Sequence, residues 1–215
     1  MKHMKKILAV ALVVIMTLCF SSCDMAEVAD FVVENFLSVD VEPSEIEGDT
    51  YINKELDLYF VKPATWDYMS EEEIADTMVQ GVTEYFGEYA ELILSLVNPS
   101  TYDMMAVDPR TGCNVMVGYE NLKRSFKTGI TEEEYLRNLE SGMGIAEGMS
   151  MSFSDEFDTV MLGDMECTRA VCQVYASGIK LTQAYYAHKC DGYMAFVIIT
   201  VRSGYTLPEI EAMFH

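Results

Sequence analysis

The chain has 215 residues, with 35 Asp and Glu against 14 Lys and Arg, for a formal charge of −21. So acidic a surface is repelled by phosphate backbones and by anionic lipid head groups, which excludes nucleic acid as a partner. Its histidines are His3, His188 and His215; so few imidazoles remove most zinc, haem and triad mechanisms.

The N-terminus is patterned as an export signal. Lys2, Lys5 and Lys6 precede Ile7 to Phe20, a run of 14 residues without a charge, and Ser21-Ser22-Cys23 closes the segment. The run is short of the roughly 18 apolar residues that a membrane-spanning helix needs. An ordinary signal peptidase wants small residues at −3 and −1, and Phe20 at −3 suits it badly. Phe20-Ser21-Ser22-Cys23 instead resembles a lipobox, with Phe where Leu is more usual. The expected product begins at Cys23, whose thiol takes a diacylglyceryl thioether and holds the chain on the outer face of the membrane. Each acyl methylene contributes about 0.8 kcal/mol on burial, so lipid supplies the anchoring energy. No other cofactor is expected. Removing residues 1–22 takes three basic residues and no acidic ones, which leaves a charge of −24.

Residues 23–49 then read as a lipidated N-terminus and acidic stalk. Val28, Phe31, Val32, Phe36 and Val39 make one apolar face of a short helix. Asp40 to Asp49, with Pro43, Gly48 and no hydrophobic period, reads as a solvated linker. A single domain is expected over residues 50–215.

That domain opens on a strand in which Leu56, Leu58 and Phe60 alternate with Asp57 and Tyr59, stopped by Pro63. Ser70-Glu71-Glu72-Glu73 is a capping box, and the helix after it carries a long apolar stripe from Ile74 to Leu96 before Asn98-Pro99. A hairpin follows, with Tyr102 to Val107 and Cys113 to Tyr119 on either side of Asp108-Pro109-Arg110-Thr111-Gly112. Thr131-Glu132-Glu133-Glu134 caps a second helix with Tyr135, Leu136, Leu139 and Met143 on its apolar face. From Phe157 onward, Gly163-Asp164, Ser177-Gly178 and Asp191-Gly192 divide four strands, which predicts an antiparallel meander. Its last strand, Tyr193 to Val201, is apolar on both faces and is expected to be buried on both. Thr206-Leu207-Pro208-Glu209 caps a short terminal helix. The fold class is therefore α+β: one central antiparallel sheet, a hairpin plus the C-terminal meander, flanked by helices.

The run Leu56-Asp57-Leu58-Tyr59-Phe60-Val61-Lys62-Pro63-Ala64-Thr65-Trp66, a strand leading into Pro-x-x-Trp, resembles the start of PsbP-like domains. The helix start at Ser70, the hairpin ending Tyr119-Glu120-Asn121-Leu122, and Gly178 to Tyr186 followed by the apolar strand 193–201 are similar to uncharacterised Gram-positive surface lipoproteins. The resemblance implies an α/β/α sandwich and a surface location. It implies accessory or binding roles and carries over no catalytic residue.

Four constellations invite chemistry. If Ser177-Gly178 is a two-residue turn, positions summing to 355 face each other, so Cys167 opposes His188 and a nucleophilic dyad becomes a candidate beside a purely structural pairing. Met143, Met149 and Met151 could hold cuprous copper or simply fill core and loop. Asp155, Glu156 and Asp158 could attract calcium or form a solvated turn. Trp66, the only tryptophan, sits beside Tyr68, and the two either line a ligand cleft or close the end of the core. Cys113, Cys167, Cys172 and Cys190 allow three full disulfide pairings, though Cys167 and Cys172, five apart on one strand, face opposite sides; most are expected to be buried free thiols acting as small hydrophobes, with one disulfide left open by an oxidising location. The expected function is a membrane-tethered, non-enzymatic accessory or binding module; its acid excess either attracts a basic protein partner or divalent cations, or keeps a tethered domain soluble and standing off the membrane. The alternative is a small-solute or metal-ion receptor using a cleft near Trp66 and Tyr68.

Overall fold

The computed structural model describes residues 41–42, 44–74, 76–77, 102–122, 129–143, 149–154, 157–176 and 179–215. Cys23, the expected stalk helix, most of the long stripe ending at Leu96, and Asp155 and Glu156 lie outside the described residues.

Three short strands come first: β1 (Glu45–Glu47), β2 (Thr50–Asn53) and β3 (Leu58–Val61), which form their own antiparallel sheet in that order. This corrects the expectation of a free linker reaching Asp49. Residues 45–47 pair with 50–52, and Val41 packs against the core. Gly48 at φ 60° supplies the positive angle that a two-residue turn of this kind demands at its first position. The Leu56 side chain is buried as expected, but its backbone lies in the turn before β3.

The central sheet is eight-stranded. β4 (Asp67–Tyr68), β5 (Tyr102–Val107), β6 (Asn114–Asn121), β7 (Met149–Phe153), β8 (Asp158–Leu162), β9 (Met165–Ala176), β10 (Ile179–Cys190) and β11 (Tyr193–Val201) are arranged β4-β5-β6-β11-β10-β9-β7, with β8 also on β9. All its pairings are antiparallel. The expected meander is present as β8-β9-β10-β11. β7, in a stretch expected to be loop or core filler, lies along the second half of β9. Central β11 is buried from Met194 onward on both faces, because β6 and β10 hold its edges and two separate cores cover its faces.

One face carries helices. Ser70 accepts from the Glu73 N–H at 3.2 Å while the Glu73 carboxylate accepts from the Ser70 N–H at 2.9 Å, which starts α1, described at 71–74 and 76–77. Thr131 and Glu134 make the same reciprocal pair at 3.1 and 3.0 Å ahead of α2 (Glu132–Met143). Each box satisfies two backbone donors that a helix leaves open. Ile74 of α1 and Tyr135, Leu136 and Leu139 of α2 pack on Met105, Met116, Tyr185, Phe196 and Ile198. No helix among the described residues is long and apolar enough to cross a membrane.

The other face is covered by the small sheet and by α3 (Leu207–Glu211), capped by Thr206 and Glu209. Tyr51, Leu58, Phe60, Ile210 and Phe214 pack there on Val115, Val117, Val197 and Ile199. Each such aliphatic or aromatic burial contributes about 1.5–3 kcal/mol. The last residues act as a further strand: Tyr59 and His215 exchange backbone hydrogen bonds at 3.1 and 2.9 Å, and the Val61 N–H reaches the Met213 carbonyl at 2.9 Å. Gly163, at φ 59°, lets that terminus approach; a Cβ there would stand 2.7 Å from the His215 carbonyl oxygen.

Candidate functional site

The densest polar cluster lies where the small sheet meets the central one. Tyr51 and Asn53 are two apart on β2, so both point inward at β5 and β6. Asp103 reaches them because β5 changes register between Tyr102 and Met104, and a bulge re-aims the side chain it carries. The Tyr51 hydroxyl donates to Asp103 Oδ2 at 2.5 Å, and Ser44 donates to Oδ1 at 2.9 Å. The Asn53 amide nitrogen lies 3.1 Å from Oδ2, 2.9 Å from the Tyr51 oxygen and 2.6 Å from the Tyr119 oxygen. Two N–H bonds thus serve three acceptors, so one is shared. Asn53 Oδ1 in turn accepts the Leu56 N–H at 3.0 Å. Burial first, then the Asp103 carboxylate, pushes the Tyr51 phenol far above its ordinary range; burial does the same to Tyr119. Both phenols therefore stay protonated, Tyr51 as a donor within the cluster. Its geometry fastens the first hairpin to the sheet.

A second network surrounds Arg169. Its guanidinium lies 2.8 Å from Glu211 and 3.0 Å from Asp158, and the Tyr186 hydroxyl donates to Glu211 at 2.6 Å. These contacts tie α3 to β8, β9 and β10. They also bring Asp158, by sequence a candidate for a calcium ligand or for part of a solvated turn, into an ion pair. Among the described residues no group of three His, Cys, Asp or Glu is placed to hold a metal.

Of the two readings of Cys167 and His188, the geometry fits the structural pairing and not the dyad. β9 and β10 do pair with positions summing to 355, from Ile179↔Ala176 to Ala187↔Thr168. Yet Cys167 lies in the core, its sulfur 3.6 Å from the Val160 carbonyl, and burial pushes its thiol up to about 12. His188 Nδ1 meets the Glu166 carbonyl at 2.7 Å, and since a carbonyl only accepts, Nδ1 carries the proton in that bond. A thiolate–imidazolium pair needs the opposite of a raised thiol.

All four body cysteines are free thiols. Cys167 and Cys172 face opposite cores, as their spacing predicts. Burial also raises Cys172 to about 12, and burial followed by Glu55 raises Cys190 to about 11. All three lie above the ordinary 9.0, so their stabilising effect is complete below pH 9 and is lost as pH climbs through 11 to 12. A disulfide reagent at pH 8 is expected to leave Cys167 and Cys172 unmodified in the folded chain and to modify both in urea. Rapid modification of either without denaturant would show that its strand opens far more readily than this packing allows.

Trp66 and Tyr68 do end up close, but not as walls of a cleft. Trp66 has no exposed surface; its indole N–H donates to the Tyr205 hydroxyl at 3.1 Å, and its ring meets Tyr205 edge-on at 5.5 Å between centroids. A ligand stacking there would first have to displace Tyr205. Tyr68 donates to the Asp49 carbonyl at 3.1 Å, with Lys62 5.4 Å from its ring centroid. Met149 and Met151 belong to β7, and Met143 ends α2. The Tyr51–Asn53–Asp103–Tyr119 cluster had one sequence signal, an aspartate inside an otherwise apolar strand, but its partners lie 50 and more residues away.

No family model matches the chain, and no curated protein matches it. Among solved structures it is similar to cyanobacterial PsbP (CyanoP) from Synechocystis sp. PCC 6803, at 8% identity over 91% of this chain and 98% of that one, with a TM-score of 0.44. It is also similar to a crystal structure from Bacteroides thetaiotaomicron VPI-5482, at 10% identity over 74% of this chain, with a TM-score of 0.41; this chain spans 44% of that one's length. The likeness is one of fold alone.

Proposed function

We propose that this protein is a non-enzymatic accessory or binding module, held on the outer face of a membrane by a diacylglyceryl lipid on Cys23. One observation supports the non-enzymatic part: among the described residues, the two densest polar clusters and two of the buried thiols are engaged in holding layers together. Asp103, Tyr51 and Asn53 bond one another, Arg169 binds Glu211 and Asp158, and burial raises the thiols of Cys167 and Cys172. The Phe20-Ser21-Ser22-Cys23 segment supports the anchor. The acid excess, −21 over the full sequence and −24 from Cys23 onward, suits a basic protein partner and a body that stands off anionic lipid.

The anchor has a direct test. Cys23→Ala is expected to shift the protein from the membrane fraction to the soluble or uncleaved pool, and to abolish metabolic labelling with a radioactive fatty acid. Unchanged labelling would reject lipidation at Cys23.

A further inference from the structure

Within the described residues β1 pairs with β2 and leaves its other edge open. Which backbone groups face that edge follows from phase. The Gly48-Asp49 turn makes Glu47 and Thr50 the bonded pair closing the hairpin, and bonded and non-bonded pairs alternate along an antiparallel ladder. The Lys62 N–H donating to the Asp49 carbonyl at 2.9 Å sets the same phase from the other side of β2. Glu45 and Glu47 therefore direct their N–H and C=O groups at β2, and Ile46 directs its own outward. Side chains alternate as well. Ile46 lies opposite Tyr51 on the inward face yet is 49% exposed, while Glu45 and Glu47 stand on the outer face.

The edge thus presents acid, apolar, acid, with one free backbone donor and acceptor at its centre. Five large apolar side chains are exposed among the described residues, and three of them, Ile46, Tyr59 and Val61, belong to this small sheet. We infer that the free edge of β1 takes an extended segment of a protein partner by strand addition, with a basic–apolar–basic run set against Glu45, Ile46 and Glu47. This rests on the binding-module reading and names the surface and the partner chemistry it uses.

Charge disfavours two occupants. A second copy of this chain would bring Glu45 and Glu47 against the same acids. The chain's own residues 24–40 carry five acids and no base. Glu42, Glu45 and Glu47 all act on the one ammonium of Lys54, which bonds Glu45 at 2.8 Å, so acid is in excess at this edge.

The test titrates two labelled peptides of equal composition, alternating Lys-Val-Lys-Val-Lys and block Lys-Lys-Lys-Val-Val, into the full chain in detergent at about 0.15 M salt, read by fluorescence anisotropy. The alternating peptide is expected to bind about tenfold more tightly, since only it matches both faces of the edge. Ile46→Pro removes the outward N–H and none that bonds β2, so it keeps the hairpin and is expected to erase that preference. Glu45→Lys with Glu47→Lys is expected to turn the preference to Glu-Val-Glu-Val-Glu. Equal binding of both lysine peptides, or an unchanged preference in Ile46→Pro, would overturn strand addition. A partner that crosslinks to the lipidated chain in membranes from a probe at Tyr175 but not at Ile46 would likewise overturn it, while leaving the binding-module reading standing.

Discussion

Asp103→Ala is expected to destabilise the protein by about 2–4 kcal/mol, the range for deleting a charged acceptor that serves several buried donors. Three donors lose their acceptor at once: the Tyr51 hydroxyl, the Ser44 hydroxyl and a shared Asn53 N–H. Tyr51 and Asn53 cannot recover water readily, because both are sealed between the two sheets, whereas half-buried Ser44 can. The loss should be local before it is global, since Asp103 is where β1 and β2 are fastened to β5. Amide exchange should therefore quicken first over 45–53, with β9, β10 and β11 still protected. Asp103→Asn keeps an acceptor and the shape, and should cost about half as much. Equal protection of residues 45–53 in Asp103→Ala and the parent chain would show that apolar packing by Tyr51, Leu58 and Phe60 holds the small sheet unaided.

Trp66→Ala is expected to cost about 3–5 kcal/mol, the usual range for emptying a buried aromatic site. Trp66 has no exposed surface, meets Phe60 at 6.3 Å and Tyr205 at 5.5 Å between ring centroids, and gives Tyr205 its hydrogen bond. Its removal opens a cavity between the strands that lead into the central sheet and the loop before α3. A urea midpoint shift at constant slope would measure it. Circular dichroism must serve as the probe, because the substitution removes the only tryptophan. Trp66→Phe retains part of the volume and loses the hydrogen bond, so it should fall between the two. A loss below about 1 kcal/mol would mean that the site is loosely filled, and would revive a cleft at that position.

Local chemistry was readable where it closes on itself. The boxes at Ser70–Glu73 and Thr131–Glu134 join partners three positions apart, so both appear in one glance at the sequence, and the bonds form as expected. Turn length fixes register: two residues between β9 and β10 dictate that positions sum to 355, and they do. Two-sided apolarity in 193–201 foretold a central strand, because only an interior strand of a sheet covered on both faces can hide both sets of side chains.

β1 was illegible for the opposite reason. Glu45, Ile46 and Glu47 are all exposed, so no burial period marks them, and their strand state comes from hydrogen bonds to β2. Trp66 beside Tyr68 was compatible with either a cleft or a core plug. Tyr205, 139 residues away, makes it a plug. The expectation that Cys167 faces His188 extends a register whose pairs end at Ala187↔Thr168, and reactivity depends on solvent: burial between α3 and the strands raises the thiol beyond use.

The sequence by itself determined the α+β class, the caps, the meander and the acid excess, since propensity, turn geometry and charge act over a few neighbours or sum over the whole. Only the tertiary structure decided that Tyr51, Asn53, Asp103 and Tyr119 converge, because a bulge in β5 and the stacking of two sheets set those distances. Only it decided that, among the described residues, an acid–apolar–acid edge is left without a neighbour, because sheet order is set by which strands come together across the fold.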